Sequence, residues 1–280
     1  MAVSYRDSLP LSLRRRPGGT ALAVRALRCW LLTYRRTWRG SVWTSVFGPL
    51  FYLGAMGYGL GSLVDKNGTA ALGGVPYVVF VAPAVLCVQA MNTGLSNSLY
   101  PVFGSMRWNA VYLAARATPL RPADIFRGHL LFNGMRIAMN SACFIVFMAA
   151  FGLIKSPWAV LLLPAALLTG IAFAAPTAAW AITLRHETSL NYPVRFGAIP
   201  LMLFSGTFFP VTQLPGWIRP VAYATPLWHG VALCRALAAG TVFASAGAAG
   251  SAAVHVAYLA AVTALGLWLA ARNYRRRLYV

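Results

Sequence analysis

Residues 201–240 read LMLFSGTFFPVTQLPGWIRPVAYATPLWHGVALCRALAAG, and the reading of this stretch decides the fold. It begins as the second half of an apolar run and closes at Phe208-Phe209-Pro210. The residues beyond that proline are too polar to cross a membrane and too aromatic for a free loop. Pro210, Pro215, Pro220 and Pro226 recur at five- or six-residue spacing. Proline cannot continue a helix, so short helical pieces are expected near Trp217–Ala224 and Leu227–Leu237. Trp217, Tyr223, Trp228 and His229 are side chains suited to the membrane–water boundary. Two forms fit: an ordinary interfacial loop, or a re-entrant lid over an exit path.

The chain on either side is that of an integral membrane protein. Apolar residues fill 59% of 280 positions, and four acids (Asp7, Asp65, Asp124, Glu187) accompany twenty-four bases. Six runs approach the roughly 20 residues needed to cross hydrocarbon: Val42–Ser62, Tyr77–Leu99, Leu130–Leu153, Trp158–Leu184, Val194–Phe209 and Ser251–Ala271. Pro49, Pro83, Pro164, Pro176 and Pro200 fall inside them, where neighbouring helices can satisfy the freed carbonyls. The expected fold is all-α, with six transmembrane helices and external re-entrant helices between the fifth and sixth. The first forty residues lack the apolar core and cleavage site of a signal peptide. Cys29, Cys87, Cys143 and Cys234 are far apart and have no metal-ligand spacing.

From Thr20 to Gly40 apolar and basic residues alternate at helical spacing. Leu22, Leu27, Trp30, Leu31 and Tyr34 can share one side, and Arg25, Arg28, Arg35, Arg36 and Arg39 lie mostly off it. That is the pattern of a helix lying in the interface with arginines toward anionic headgroups. The chain is therefore divided into 1–40, a tail and interfacial connecting helix, and 41–280, the six-span unit. Within the latter, 100–129 is an inner loop and 210–250 holds the external helices. With the N-terminus placed inside, nineteen Lys and Arg fall on cytoplasmic segments and four on outer loops, with Arg136 inside a span. This positive-inside bias places both termini in the cytoplasm. The same distribution argues against nucleic acid as a partner, since the charge follows membrane boundaries and no single face collects it.

Four features are candidates for function. In the inner loop, Ser105–Arg116 can form a short helix with Met106, Val111 and Leu113 apolar, leaving Arg107, Asn109, Tyr112 and Arg116 free. It is either a membrane-surface helix or a docking rod for a cytoplasmic subunit. On the third span, His129, Asn133, Arg136 and Asn140 share a helical face. The second span offers a matching set in Gln89, Thr93 and Ser96, with Asn92 and Asn97 beside them. Polar groups in spans turn toward protein or water, so these rows either bond one another or wall a substrate path. Arg136 needs snorkelling room or an anion, and Glu187 is the expected ion-pair partner. Gly57 and Gly61 form a GxxxG suited to close helix approach, or mark simple fraying at a span's end. Asn67-Gly68-Thr69 is an acceptor sequon by spelling alone.

No Gly-x-Ser-x-Gly, HExxH or pair of carboxylates is present, and the histidines His129, His186, His229 and His255 are scattered. A phosphate-binding loop needs Gly-Lys-[Ser/Thr], whereas Lys66 and Lys155 come directly after Asp65 and Ile154. The chain has no catalytic residues and no metal site of its own by this reading.

The run Phe204-Ser205-Gly206-Thr207-Phe208-Phe209-Pro210, then Leu214-Pro215-Gly216-Trp217, Thr225-Pro226-Leu227 and Arg235, resembles the signature region of ABC type-2 exporter permeases. It is most similar to the branch with nodulation-type lipo-oligosaccharide and daunorubicin-type drug exporters. The resemblance implies a permease that pairs with a second permease copy and with two copies of a separate ATPase chain, which binds ATP and magnesium. It would move an amphiphilic cargo, a lipid-linked oligosaccharide, glycolipid or lipophilic drug, outward across the cytoplasmic membrane. It implies that Ser105–Arg116, with Arg107, Trp108, Asn109, Tyr112 and Arg116, is the coupling helix, and that Arg28 and Arg35 also face the ATPase. Tyr52, Tyr58, Asn92, Phe204, Phe208 and Phe209 would then line the path and dimer seam. A membrane enzyme acting on lipid-linked substrates is one alternative, though Asp124 and Glu187 stand isolated; a channel is another, though no pore motif repeats.

Overall fold

A computed structural model describes residues 19–66, 72, 74–118, 120–242 and 246–279. The tail with Asp7 and the Asn67-Gly68-Thr69 sequon lie outside the described residues, as do the side chains of Tyr52, Tyr58 and Arg116. Every regular element described is helical. Helix α1 (Gly19–Leu53) continues through a π-helical stretch, Gly54–Leu60, into α2 (Gly61–Lys66). Then come α3 (Tyr77–Arg107), α4 (Val111–Ala114), α5 (Pro122–Ala150) and α6 (Leu162–Ala181). Beyond these lie α7 (Ile199–Phe204), α8 (Arg219–Tyr223), α9 (Pro226–Ala239) and α10 (Ala246–Tyr279).

Among the described residues four helices are long and apolar enough to cross a membrane: Tyr77–Arg107, Pro122–Ala150, Pro157–Ala181 and Ser251–Leu278. They correspond to the second, third, fourth and sixth expected spans. The first expected span is divided among α1, the π-helical stretch and α2. The fifth is helical only over the six π-helical residues Pro193–Ala198 and the six of α7. At a rise of 1.5 Å per residue that is about 18 Å, short of the roughly 30 Å of hydrocarbon.

The interfacial helix expected to end at Gly40 is not a separate element, because α1 runs unbroken through that residue. Its amphipathic pattern is real: Arg25, Arg28, Arg35, Arg36 and Arg39 are exposed, and Leu22, Ala23 and Ala26 are buried. The apolar side faces α5. Trp30 stacks on Phe132 with centroids 5.6 Å apart and meets His129 edge-on at 5.0 Å, and Tyr34 meets Phe132 at 5.9 Å. Close approach is possible because Gly128 has no side chain; a Cβ there would stand 2.5 Å from that of Ala26.

Contacts give the helix directions. Residues 26, 30 and 34 of α1 meet 128, 132 and 136 of α5 in rising order, so the two run parallel. Helix α3 is antiparallel to α5, with Asn133 against Ser98 and Asn140 against Thr93. It is parallel to α6, since a Cβ on Gly94 would meet Gly170 O and Arg107 Nε donates to Leu184 O beyond the end of α6. Gly266 abuts Pro176, and Asn273 Nδ2 donates to Ala179 O at 2.8 Å, so α10 is parallel to α6. The start of α1 and the end of α10 thus share one end of the bundle. There Tyr112, Phe126, Ile182 and Tyr274 form one buried cluster. A larger cluster lies around Val81, Met91, Ile137, Leu162 and Leu227.

Gly57 settles the role of the GxxxG: a Cβ there would lie 2.7 Å from Val78 Cγ2, so the glycine serves close packing on α3. Asp65 Oδ1 accepts from Tyr77 N at 3.0 Å, tying the end of α2 to the first turn of α3. A carboxylate at that N-terminus also meets the positive end of the helix dipole.

Candidate functional site

The polar rows of α3 and α5 bond one another, as one of the two readings expected, and also border a cavity. Asn133 Nδ2 donates to Ser98 Oγ at 2.8 Å and to Gly94 O at 3.2 Å, and Asn140 Nδ2 donates to Thr93 Oγ1 at 3.2 Å. Beside this seam lies a cavity of about 470 Å³. Helix α3 supplies Val85, Val88, Gln89, Asn92, Thr93, Ser96 and Asn97 to its wall, and α5 supplies Arg136 and Asn140. Gly48, Met202, Thr207 and Phe208 complete it. Asn133→Ala is expected to cost about 1–2 kcal/mol, read as a lower thermal midpoint in nanodiscs. Asn92→Ala, on the exposed side of the cavity, should leave the midpoint in place. Equal midpoints for the two variants would show that the α3–α5 seam does not depend on Asn133.

Arg136 is 6% exposed, with its guanidinium carbon 4.5 Å from the ring centroid of Tyr34. Its Nε and Nη1 find no acceptor among the described residues. The expected ion pair with Glu187 does not form, because Glu187 is exposed on the one-turn helix Glu187–Asn191 while Arg136 is enclosed. His129 is also buried, with both ring nitrogens unpartnered against the edge of Trp30.

Of the residues expected to line the path, Asn92 and Phe208 reach the cavity. Phe204 is 41% exposed on α7 and is not part of the wall. Phe209 packs instead on Val211, Leu214 and Ala222. Helix α7 ends before Phe208 and Phe209: 205–209 are bends, with Gly206 at φ +77°.

The expected helix Ser105–Arg116 is broken. Residues 105–107 are the last turn of α3, and helix resumes at Val111 after Ala110 in the left-handed region (φ 51°). The break reverses part of the expected polarity. Tyr112 is buried, its ring 5.8 Å from that of Tyr274, whereas Val111 and Leu113 are exposed. Arg107, Trp108 and Asn109 are exposed as expected. Trp108 covers Gly104, where a Cβ would lie 2.7 Å from its ring, and meets Phe103 edge-on at 5.5 Å.

The stretch 201–240 yields α8 and α9 close to the two expected pieces. Helix α9 is no surface loop: it packs against α3, α6 and α10 and buries Leu227, Gly230, Val231, Leu233, Cys234 and Leu237. Thr225 caps it, accepting from Trp228 N at 3.3 Å, and Gly240 (φ +77°) ends it. Four residues of the signature run converge on it. Ser205 Oγ and Thr225 Oγ1 are 2.9 Å apart. Arg235 donates through Nη2 to Thr207 O at 3.1 Å and through Nε to Phe80 O at 3.0 Å, its cation 3.6 Å from the centroid of the Phe80 ring. The motif is therefore a latch joining the end of α7 to the start of α9 through Thr225, and the segment after α7 and the first turn of α3 to the later part of α9 through Arg235.

Two histidines scattered in sequence also meet. His229 Nδ1 and His255 Nδ1 are 2.8 Å apart, and Tyr258 stacks on His229 at 3.9 Å. Nothing in the sequence signals this pair, since the residues belong to α9 and α10 and share no spacing rule. Among the described residues no cluster of three or more His, Cys, Asp or Glu could hold a metal.

The model of the ABC-2 type transporter family matches residues 21–239. Nodulation protein J of Rhizobium leguminosarum bv. trifolii is 31% identical over 223 residues, covering 75% of this chain and 81% of that protein. Nodulation protein J of Rhizobium meliloti is 28% identical over 261 residues, covering 89% and 94%. That of Bradyrhizobium diazoefficiens is 27% identical over 259 residues, again covering 89% and 94%.

Proposed function

The chain belongs to the ABC-2 type transporter family, and on that premise we propose that it is the permease subunit of an exporter powered by a separate ATPase chain. A family of this kind is a membrane transport subunit, and four helices here suit a multi-pass membrane protein. The finer reading has six crossings, with α1–α2 and the 193–209 segment as the first and fifth, completed by lipid or a second permease copy. Both termini lie in the cytoplasm, two ATPase copies dock there, and the membrane is the cytoplasmic one. The cargo is amphiphilic, a glycolipid or lipid-linked oligosaccharide or a lipophilic drug.

The observation that carries this reading is the cavity between α3 and α5, with residues 107–111, 113 and 114 exposed at one end of the same two helices. That segment is continuous with α3, is held to the end of α6 through Arg107 and Leu184, and reaches α10 through Tyr112 and Tyr274. A push on it has rigid elements to act on, which a coupling device requires. Arg28 and Arg35 of α1 are exposed and are assigned to the same docking, Arg28 standing nearer that end than Arg35, which follows Tyr34 at the level of Arg136. The absence of a Gly-Lys-[Ser/Thr] loop in the sequence agrees with power supplied by another polypeptide.

The test is co-purification with an ATPase chain bearing such a loop. Val111→Glu with Leu113→Glu places two charges on the exposed face of α4 without touching the buried Tyr112. The pair is expected to lower recovered ATPase about tenfold or more, a loss of roughly 1.4 kcal/mol, with the permease's thermal midpoint unchanged. Full recovery of the ATPase with the double variant would refute docking at this segment.

A further inference from the structure

We propose that the cavity binds the anionic group of a hydroxyl-rich amphiphile, with Arg136 as the residue that takes the charge. The proposal rests on the transport reading above and selects among its cargo classes.

Arg136 is enclosed, lines the cavity, and has two guanidinium nitrogens without an acceptor among the described residues. A buried cation without a counter-charge is costly, and this chain has almost nothing to neutralise it with. Asp65 is engaged with the first turn of α3, Asp124 accepts from Arg121 N at the start of α5, and Glu187 is exposed. Asp7 belongs to the tail outside the described residues. The ring of Tyr34 supports one side of the cation, but a ring face supplies no hydrogen-bond acceptor for the N–H groups. A planar guanidinium with free N–H groups matches a carboxylate, sulfate ester or phosphate ester.

The rest of the wall sets the body of the ligand. Thr207 Oγ1 is another buried polar atom of the wall without a partner among the described residues. Asn92, Ser96 and Asn97 add amides and a hydroxyl, which suit sugar hydroxyls. Val85, Met202 and Phe208 add apolar surface to the wall. A cationic or wholly apolar drug would leave this wall unsatisfied; an acidic glycolipid headgroup would not.

The experiment uses the permease with its ATPase in nanodiscs of zwitterionic phosphatidylcholine, and three probes at pH 7: octyl glucoside, octyl glucuronide and inorganic phosphate. The two glycosides differ only by a carboxylate that is ionised at this pH. The glucuronide is expected to bind about tenfold or more tightly than the glucoside, as a charge-assisted contact requires. Arg136→Gln should bring that ratio close to one while glucoside binding persists, and Arg136→Lys should keep part of it. A wild-type ratio near one with both glycosides bound would overturn the anion claim and leave the transport reading standing, as would a preference retained in Arg136→Gln. Phosphate displacing the glucuronide at equal concentration would mark a site for the free ion and overturn the amphiphile part. Binding of neither glycoside would remove the cavity from the transport reading altogether. The wild-type comparison needs no variant, so it decides even if Arg136→Gln fails to assemble.

Discussion

Gly94→Val is expected to prevent the bundle from assembling. At Gly94, α3 passes so close to α6 that a Cβ would stand 2.4 Å from the carbonyl oxygen of Gly170 and 3.4 Å from the Cβ of Ala174. The first obstacle is backbone, so no rotamer change relieves it. Gly170 is equally confined, with Ile137 side-chain atoms at 2.8 Å and Ala90 O at 3.0 Å. Overpacking a fitted core costs about 1–3 kcal/mol even when side chains can yield. Here two helices must separate, and the Asn133 bond to Gly94 O goes with them. Small residues are what allow membrane helices to pack closely, because lipid offers no hydrophobic drive between them. The control is Gly134→Ala, where the nearest atoms lie 3.9 Å away and the substitution adds helix propensity. Yield of monodisperse protein and thermal midpoint separate the two. A Gly94→Val protein that behaves like Gly134→Ala would mean that α3 and α6 do not meet as described.

Arg235→Gln is expected to release α9 from the bundle. The wild-type side chain makes two charge-assisted hydrogen bonds to the carbonyls of Phe80 and Thr207 and lies over the Phe80 ring. Such bonds are worth about 1.5–3 kcal/mol each, and truncation leaves both carbonyls short of a partner. The combined loss is about 3–5 kcal/mol, since contributions of one side chain do not simply add. Arg235→Lys keeps the charge but replaces a fork with a single point, so it should recover only part. Hydrogen exchange should show the change first in 205–209 and α9, ahead of α5 or α6. Uniform loss of protection across all helices would argue against a local latch.

Both variants act on contacts between helices, whereas the helices themselves were largely legible in the residue order. Apolar runs of the right length announced α3, α5, α6 and α10, because crossing hydrocarbon imposes a length that composition records. Prolines 210, 215, 220 and 226 placed α8 and α9 to within a few residues, since proline limits where a helix can run whatever surrounds it. The facing rows on α3 and α5 were readable too, because helical periodicity puts residues three and four apart on one side.

Other features were beyond reach. The unbroken α1 and its packing on α5 depend on Gly128 accepting Ala26, a contact between residues a hundred positions apart. Tyr112 turned inward and Leu113 outward because Ala110 adopts a left-handed conformation that alanine rarely takes. Phe208 lined the cavity while Phe209 packed on Val211 and Leu214, and Arg136 met Tyr34 where Glu187 was expected.

Local rules, namely hydrocarbon length, helical period and proline, act within one segment, and for that reason the residue order alone sufficed for the membrane class, four of the spans and the signature run. Which of the polar and aromatic side chains share a cavity, a latch or a cluster depends on how helices far apart in the chain approach and turn against one another. Those distances are set by packing, to which no single segment holds the information.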